Sequence, residues 1–116
     1  MTRRSLAALL ALASAACAPQ HYFVDDAVFQ WSCDGAIFEA IERGESNDVL
    51  ILRADSRQTL AYARRDAQAD ATVTQYSGGG LTYQFVEHLD TPPGAPNRYE
   101  ASLKGDGLDL EHCRLR

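Results

Sequence analysis

Tyr99-Glu100-Ala101-Ser102-Leu103-Lys104-Gly105-Asp106-Gly107-Leu108-Asp109-Leu110-Glu111 is the stretch that decides the fold. Tyr99, Ala101 and Leu103 alternate with Glu100, Ser102 and Lys104, the two-residue period of a strand with one buried face. Gly105-Asp106-Gly107 carries the residues that tolerate a tight reversal, and Leu108 and Leu110 resume the alternation. The segment reads as a β-hairpin. Cys113 falls on the opposite parity from Leu108 and Leu110, which predicts a bulge or twist near His112.

The same period recurs upstream. Leu81, Tyr83 and Phe85 alternate with Thr82 and Gln84. Ser77-Gly78-Gly79-Gly80 before them reads as a turn, because three glycines weaken any regular element. Thr72, Val73 and Thr74 are β-branched and lead into Tyr76. Asp66 to Asp70 is polar and Ala-rich and reads as a loop. Leu60, Tyr62 and Arg64 alternate with Ala61 and Ala63. Val49-Leu50-Ile51-Leu52 is a short apolar run that reads as a strand, preceded by a turn over Gly44-Glu45-Ser46-Asn47-Asp48. Phe29, Trp31 and Cys33 alternate with Gln30 and Ser32. Asp90 to Asn97, with Pro92, Pro93, Gly94 and Pro96, is a loop.

Residues 36–43 are ambiguous. Ala36, Ile37, Ala40 and Ile41 fall at helical spacing, Glu39 and Arg43 are placed to pair four apart, and Asp34 and Gly44 suit the two ends. The local pattern favours a helix slightly over a strand. With no internal repeat, seven or eight short strands joined by turn chemistry predict a small antiparallel barrel or sandwich.

The first residues give the destination. Arg3 and Arg4 precede an apolar run from Leu6 to Ala13, followed by small residues up to Cys17. That is the layout of an export signal, and the run is shorter than the roughly 20 residues a membrane-spanning helix needs. Ala13-Ser14-Ala15 offers an ordinary cleavage site, after which the product is soluble in the periplasm. Ser14-Ala15-Ala16-Cys17 resembles the lipobox of bacterial lipoproteins, in which Cys17 becomes the acylated first residue, carrying chains such as palmitate. Ala18 then matches sorting to the periplasmic face of the outer membrane. The expected organisation is a signal peptide over residues 1–16, a lipidated N-terminus and tether over 17–26, and a β-barrel domain over 27–116.

The whole chain of 116 residues has a formal charge of −5. Loss of residues 1–16 removes Arg3 and Arg4 and no acid, leaving nine basic against sixteen acidic side chains, a charge of −7. Such a domain repels nucleic acid and attracts basic proteins. If Cys17 takes lipid, Cys33 and Cys113 form an even set in an oxidising compartment and are expected to pair; two free buried thiols are the alternative. A loop of this size gives about 4–5 kcal/mol by the chain-entropy estimate.

These features together resemble the bacterial membrane-bound inhibitors of c-type lysozyme. The resemblance lies in Trp31-Ser32-Cys33-Asp34-Gly35 near the start, Glu100-Ala101-Ser102-Leu103, and Leu110-Glu111-His112-Cys113-Arg114-Leu115 at the end. It covers residues 29 to 115. It implies an eight-stranded antiparallel barrel whose early and late cysteines are bonded, and a lipoprotein that occludes the active site of a basic glycosidase. In the family a Ser-Gly-x-x-Tyr loop and a Trp-x-Lys-Gly stretch carry the hydroxyl and ammonium that meet the enzyme's two catalytic carboxylates. Here the nearest match is Thr72-Val73-Thr74-Gln75-Tyr76, followed by Ser77 and Gly78; Thr72 keeps the hydroxyl and Val73 replaces the Gly. Gly79-Gly80-Leu81-Thr82-Tyr83 is a second register without the hydroxyl. The Trp-x-Lys-Gly stretch is missing, Lys104-Gly105 falls in the hairpin turn, and Arg98 or His88 is the available substitute cation. The resemblance therefore implies a partner-binding set of Thr72, Tyr76, Ser77 and Arg98. The second expectation is a structural or accessory envelope lipoprotein with the same barrel and another partner.

Nothing else in the chain points to catalysis. His21, His88 and His112 lack metal-site spacing, and Asp106, Asp109 and Glu111 lack a calcium-loop pattern. Ser77 has no Gly two positions before it and is not a nucleophile elbow. Gly78-Gly79-Gly80 suits a hairpin tip better than an anion cradle, and Trp31 suits a core. The expected protein is not an enzyme and needs no cofactor or metal.

Overall fold

The structure is a computed structural model and describes residues 26–116. The expected signal peptide, the lipobox with Cys17, and His21 lie outside the described residues. Eight strands follow in chain order: β1 (Ala27–Cys33), β2 (Ala36–Arg43), β3 (Asp48–Arg53), β4 (Ser56–Ala67), β5 (Ala71–Gly78), β6 (Leu81–His88), β7 (Tyr99–Gly105) and β8 (Leu108–Leu115). Each pairs antiparallel with the next, and β8 returns to β1, so the sheet closes into a barrel. Closure decides between the barrel and the sandwich, and it removes most of the exposed edge that an open sheet would carry.

Residues 36–43 are strand β2, not the helix that local spacing favours. β2 pairs along its length with β1, from Ala27↔Glu42 to Cys33↔Ala36, and with β3 on its other side. Phe38 and Ala40 are buried and point inward together. Two flanking ladders outweigh the few tenths of a kcal/mol, on the order of 0.2–0.5, that one i,i+4 pair contributes to a helix. The expected loop at 66–70 is also shorter, because β4 runs to Ala67, and the glycine turn narrows to Gly79-Gly80.

An eight-stranded barrel is just wide enough for side chains to fill it. Trp31, Val49, Ile51, Leu60, Tyr83, Leu103 and Cys113 are the largest fully buried residues. Burial of each large apolar side chain contributes roughly 1.5–3 kcal/mol. Trp31 cannot be buried with its indole N–H unmet. Its Nε1 donates to the Tyr83 hydroxyl at 3.0 Å across the core. Phe29, Phe85 and Tyr99 pack together beside it, with Phe29 and Phe85 centroids 4.9 Å apart.

The predicted bulge is present. Ala101 faces Cys113 and Leu103 faces Leu110, so Ser102 of β7 stands against both Glu111 and His112 of β8. His112 takes the extra position with φ of 53°. The bulge is what returns Cys113 to the inward face, where it bonds to Cys33 with a Cα–Cα separation of 4.3 Å.

Candidate binding surface

The register of β5, β6 and β7 builds one polar wall on the outside of the barrel. Tyr76, Tyr83, Ala101 and Leu103 point inward, so their neighbours in sequence point out. Ser77 pairs with Thr82, and Thr82 pairs with Lys104. Gln75, Gln84 and Ser102 form the next row, and Val73, Val86 and Glu100 the row after it. Strands about 4.8 Å apart put Ser77 and Lys104 about 10 Å from each other, with the Thr82 hydroxyl between them. All these side chains except Lys104, which is exposed, are half-exposed.

Lys104 bridges to β8. Its Nζ contacts Glu111 and lies 3.8 Å from Asp109, and the Glu111 carboxylate raises its pKa. Both partners are exposed, so a carboxylate from another molecule competes with them on nearly equal terms.

The far end of the wall carries an ion-pair cluster. His88 Nε2 lies 3.0 Å from one Glu100 oxygen and His112 Nδ1 lies 2.7 Å from the other. Hydrogen bonding to His88, with His112 adding to it, holds the Glu100 carboxyl below its ordinary pKa. The cluster borders a cleft of about 380 Å³ that Asp90, Thr91, Asn97 and Arg114 complete. Two histidines with no motif spacing thus meet on one carboxylate, because β6, β7 and β8 are neighbours. The imidazoles take opposite oxygens of Glu100, and among the described residues no group of three or more His, Cys, Asp or Glu is arranged to hold a metal ion.

The four residues expected at a partner surface do not lie together. Ser77 is on the polar wall. Tyr76 is 6 % exposed, packs against Tyr83 in the core and meets the ring of the exposed Tyr62 edge-on. Thr72 has the inward parity of Thr74 and Tyr76 and pairs with Glu87 at the barrel's opposite end from the Gly79-Gly80 turn. Arg98 is bound to Glu87, with Nε at 3.1 Å and Nη2 at 2.6 Å from one oxygen, and also donates to the Thr91 carbonyl. Thr82, Gln75, Gln84, Ser102 and Lys104 were not singled out by sequence reasoning. Their signal is the outward half of three alternating strands, which becomes a surface only once the register is known.

A second unusual group faces the barrel interior. Glu42 shares the inward parity of Phe38 and Ala40, and its Oε2 is buried with no hydrogen-bond partner. Burial pushes its carboxyl up to about 7, against the lowering effect of Arg65. Burial and the Glu42 charge together push the Tyr76 phenol up to about 12.

No known protein family, curated protein or solved structure matches this chain.

Proposed function

We propose that this chain is an acidic cell-envelope lipoprotein, anchored through Cys17, whose barrel binds and occludes the active site of a basic c-type lysozyme. What supports the reading is the row Ser77–Thr82–Lys104 on the outer wall. A hydroxyl donates to one carboxylate, and an ammonium pairs with a second in a confined, partly dry cleft. The row supplies both groups on a rigid sheet, at the spacing of residues two strands apart. The Cys33–Cys113 bond and the closed barrel agree with the resemblance drawn from the sequence. The net negative charge steers a basic enzyme toward the domain.

A second reading, an accessory envelope protein with another partner, is favoured by Tyr76 and Arg98. One is part of the core and the other is held by Glu87, so neither offers a free group to a lysozyme cleft.

A lysozyme activity assay with purified, oxidised protein tests the proposal. Inhibition at micromolar concentration, lost in Lys104→Ala, supports it. Full lysozyme activity at those concentrations, with the disulfide intact, removes it in favour of the second reading.

A further inference from the structure

Strand β4 has a free edge past its ladder with β3. β3 pairs with β4 from Arg53↔Ser56 to Asp48↔Ala61, but β4 continues to Ala67. Beyond Ala61, β4 pairs only with β5, and no described strand lies on its other side. Residues 61–70 are all exposed. Backbone N–H and C=O groups along such an edge are open to another strand.

Protein edges are commonly guarded by like charges, which make two copies repel. This edge carries opposite charges instead. The bulge at Ala63 puts Arg64 opposite Gln75 and Asp66 opposite Val73, so Arg64 and Asp66 share the outer face. They form an exposed ion pair at 3.2 Å. Arg65 points the other way, and its Nε donates to Thr74 Oγ1 at 3.1 Å, drawing the side chain back toward β5.

We propose that the edge of β4 beyond Ala63 pairs antiparallel with the same edge of a second copy of this chain, about a two-fold axis at Arg65. Residues directly opposite in an antiparallel pair share a face. With Arg65 on the axis, Arg64 of each copy stands opposite Asp66 of the other, and the intramolecular pair becomes two intermolecular ones. The two Arg65 side chains also meet across this axis, each drawn toward its own β5 by Thr74. An axis at Arg64 or at Asp66, however, sets like charges opposite each other with no opposite pair to offset them, so the two Arg64–Asp66 pairs favour this register. The contact is isologous, as two-fold dimers require. The bulge limits the ladder to a short stretch, and the dimer forms reversibly at high local concentration.

Crosslinking tests the geometry. In the full chain carrying Cys17→Ser, Arg65→Cys places two thiols on the axis, while Cys33 and Cys113 are buried and bonded to each other. The expected result is a disulfide dimer forming at least tenfold faster than in Arg57→Cys, which lies on the part of β4 that β3 covers. Adding Asp66→Arg slows the crosslink at least tenfold, and adding Arg64→Asp to that variant restores it. Equal rates for Arg65→Cys and Arg57→Cys overturn the proposal, as does indifference to Asp66→Arg. Sedimentation of the chain with native residues 64–66 supplies an independent readout. A monomer–dimer equilibrium that Asp66→Arg abolishes is expected, and a monomer at millimolar concentration contradicts it.

Discussion

Cys33 and Cys113 stand one step beyond the pair Ser32↔Arg114, so their disulfide continues the shortest ladder in the barrel. β1 and β8 otherwise meet only at Trp31↔Leu115, with Arg116 N–H donating to the Gln30 carbonyl at 2.9 Å. The covalent bond therefore sits where the backbone contributes least to closure, and it joins residues separated by 80 positions.

Removing that bond is expected to cost about 4–5 kcal/mol. The double variant Cys33→Ala/Cys113→Ala, followed by urea unfolding, measures it. A loss under 1 kcal/mol would mean that the β1–β8 pairing closes the barrel unaided.

Glu42 makes stability fall with rising pH. Its folded pKa of about 7 lies above its ordinary 4.5, so the folded state holds the proton more tightly. Protonated Glu42 favours folding below pH 4.5, and that advantage disappears as pH rises toward 7. Glu42→Gln is expected to leave stability at pH 4.5 nearly unchanged and to add on the order of 2–3 kcal/mol at pH 8. Thermal or urea unfolding at the two pH values checks the sign; a destabilised variant at pH 8 would show that the carboxylate has a partner.

Tyr83→Phe removes the acceptor for the Trp31 indole and leaves a buried N–H unmet. The expected cost is about 1–3 kcal/mol, more than the loss of an exposed hydrogen bond. Trp31 is the chain's one tryptophan, so fluorescence-detected unfolding reports on this contact directly.

Gly105→Ala tests the close approach of two turns. Gly105 has φ of +112°, and a Cβ there would fall 2.0 Å from the Gly80 carbonyl oxygen. Backbone on both sides leaves little room to yield, and the expected loss is about 2 kcal/mol or more. Gly107→Ala, also at positive φ but with open space around it, is the comparison and should cost less.

Several elements were legible in the sequence because alternation and burial coincide in them. Leu81–Phe85 and Tyr99–Leu103 have one apolar and one polar face, and Cys113's parity announced the bulge at His112. β2 misleads because Ile37 and Ile41 put apolar residues on its outer face as well, Ile37 being 55 % exposed. That blurs the two-residue period and leaves the helical spacing to stand out. The row Ser77–Thr82–Lys104 was legible as a partner surface only at Ser77. Lys104 reads as a turn residue along the chain, and it joins Ser77 only through two successive hairpin registers. Tyr76 was legible as a strand residue, but nothing local says that it points into the core.

The central claim is that the outer wall of β5, β6 and β7 is the surface that meets a lysozyme. Titration of c-type lysozyme into the oxidised protein tests it most directly, comparing Ser77→Arg on the wall with Ile37→Arg on β2. The account predicts micromolar or tighter binding that Ser77→Arg weakens at least tenfold and Ile37→Arg leaves unchanged. Absence of binding, or equal affinity in the two variants, contradicts it.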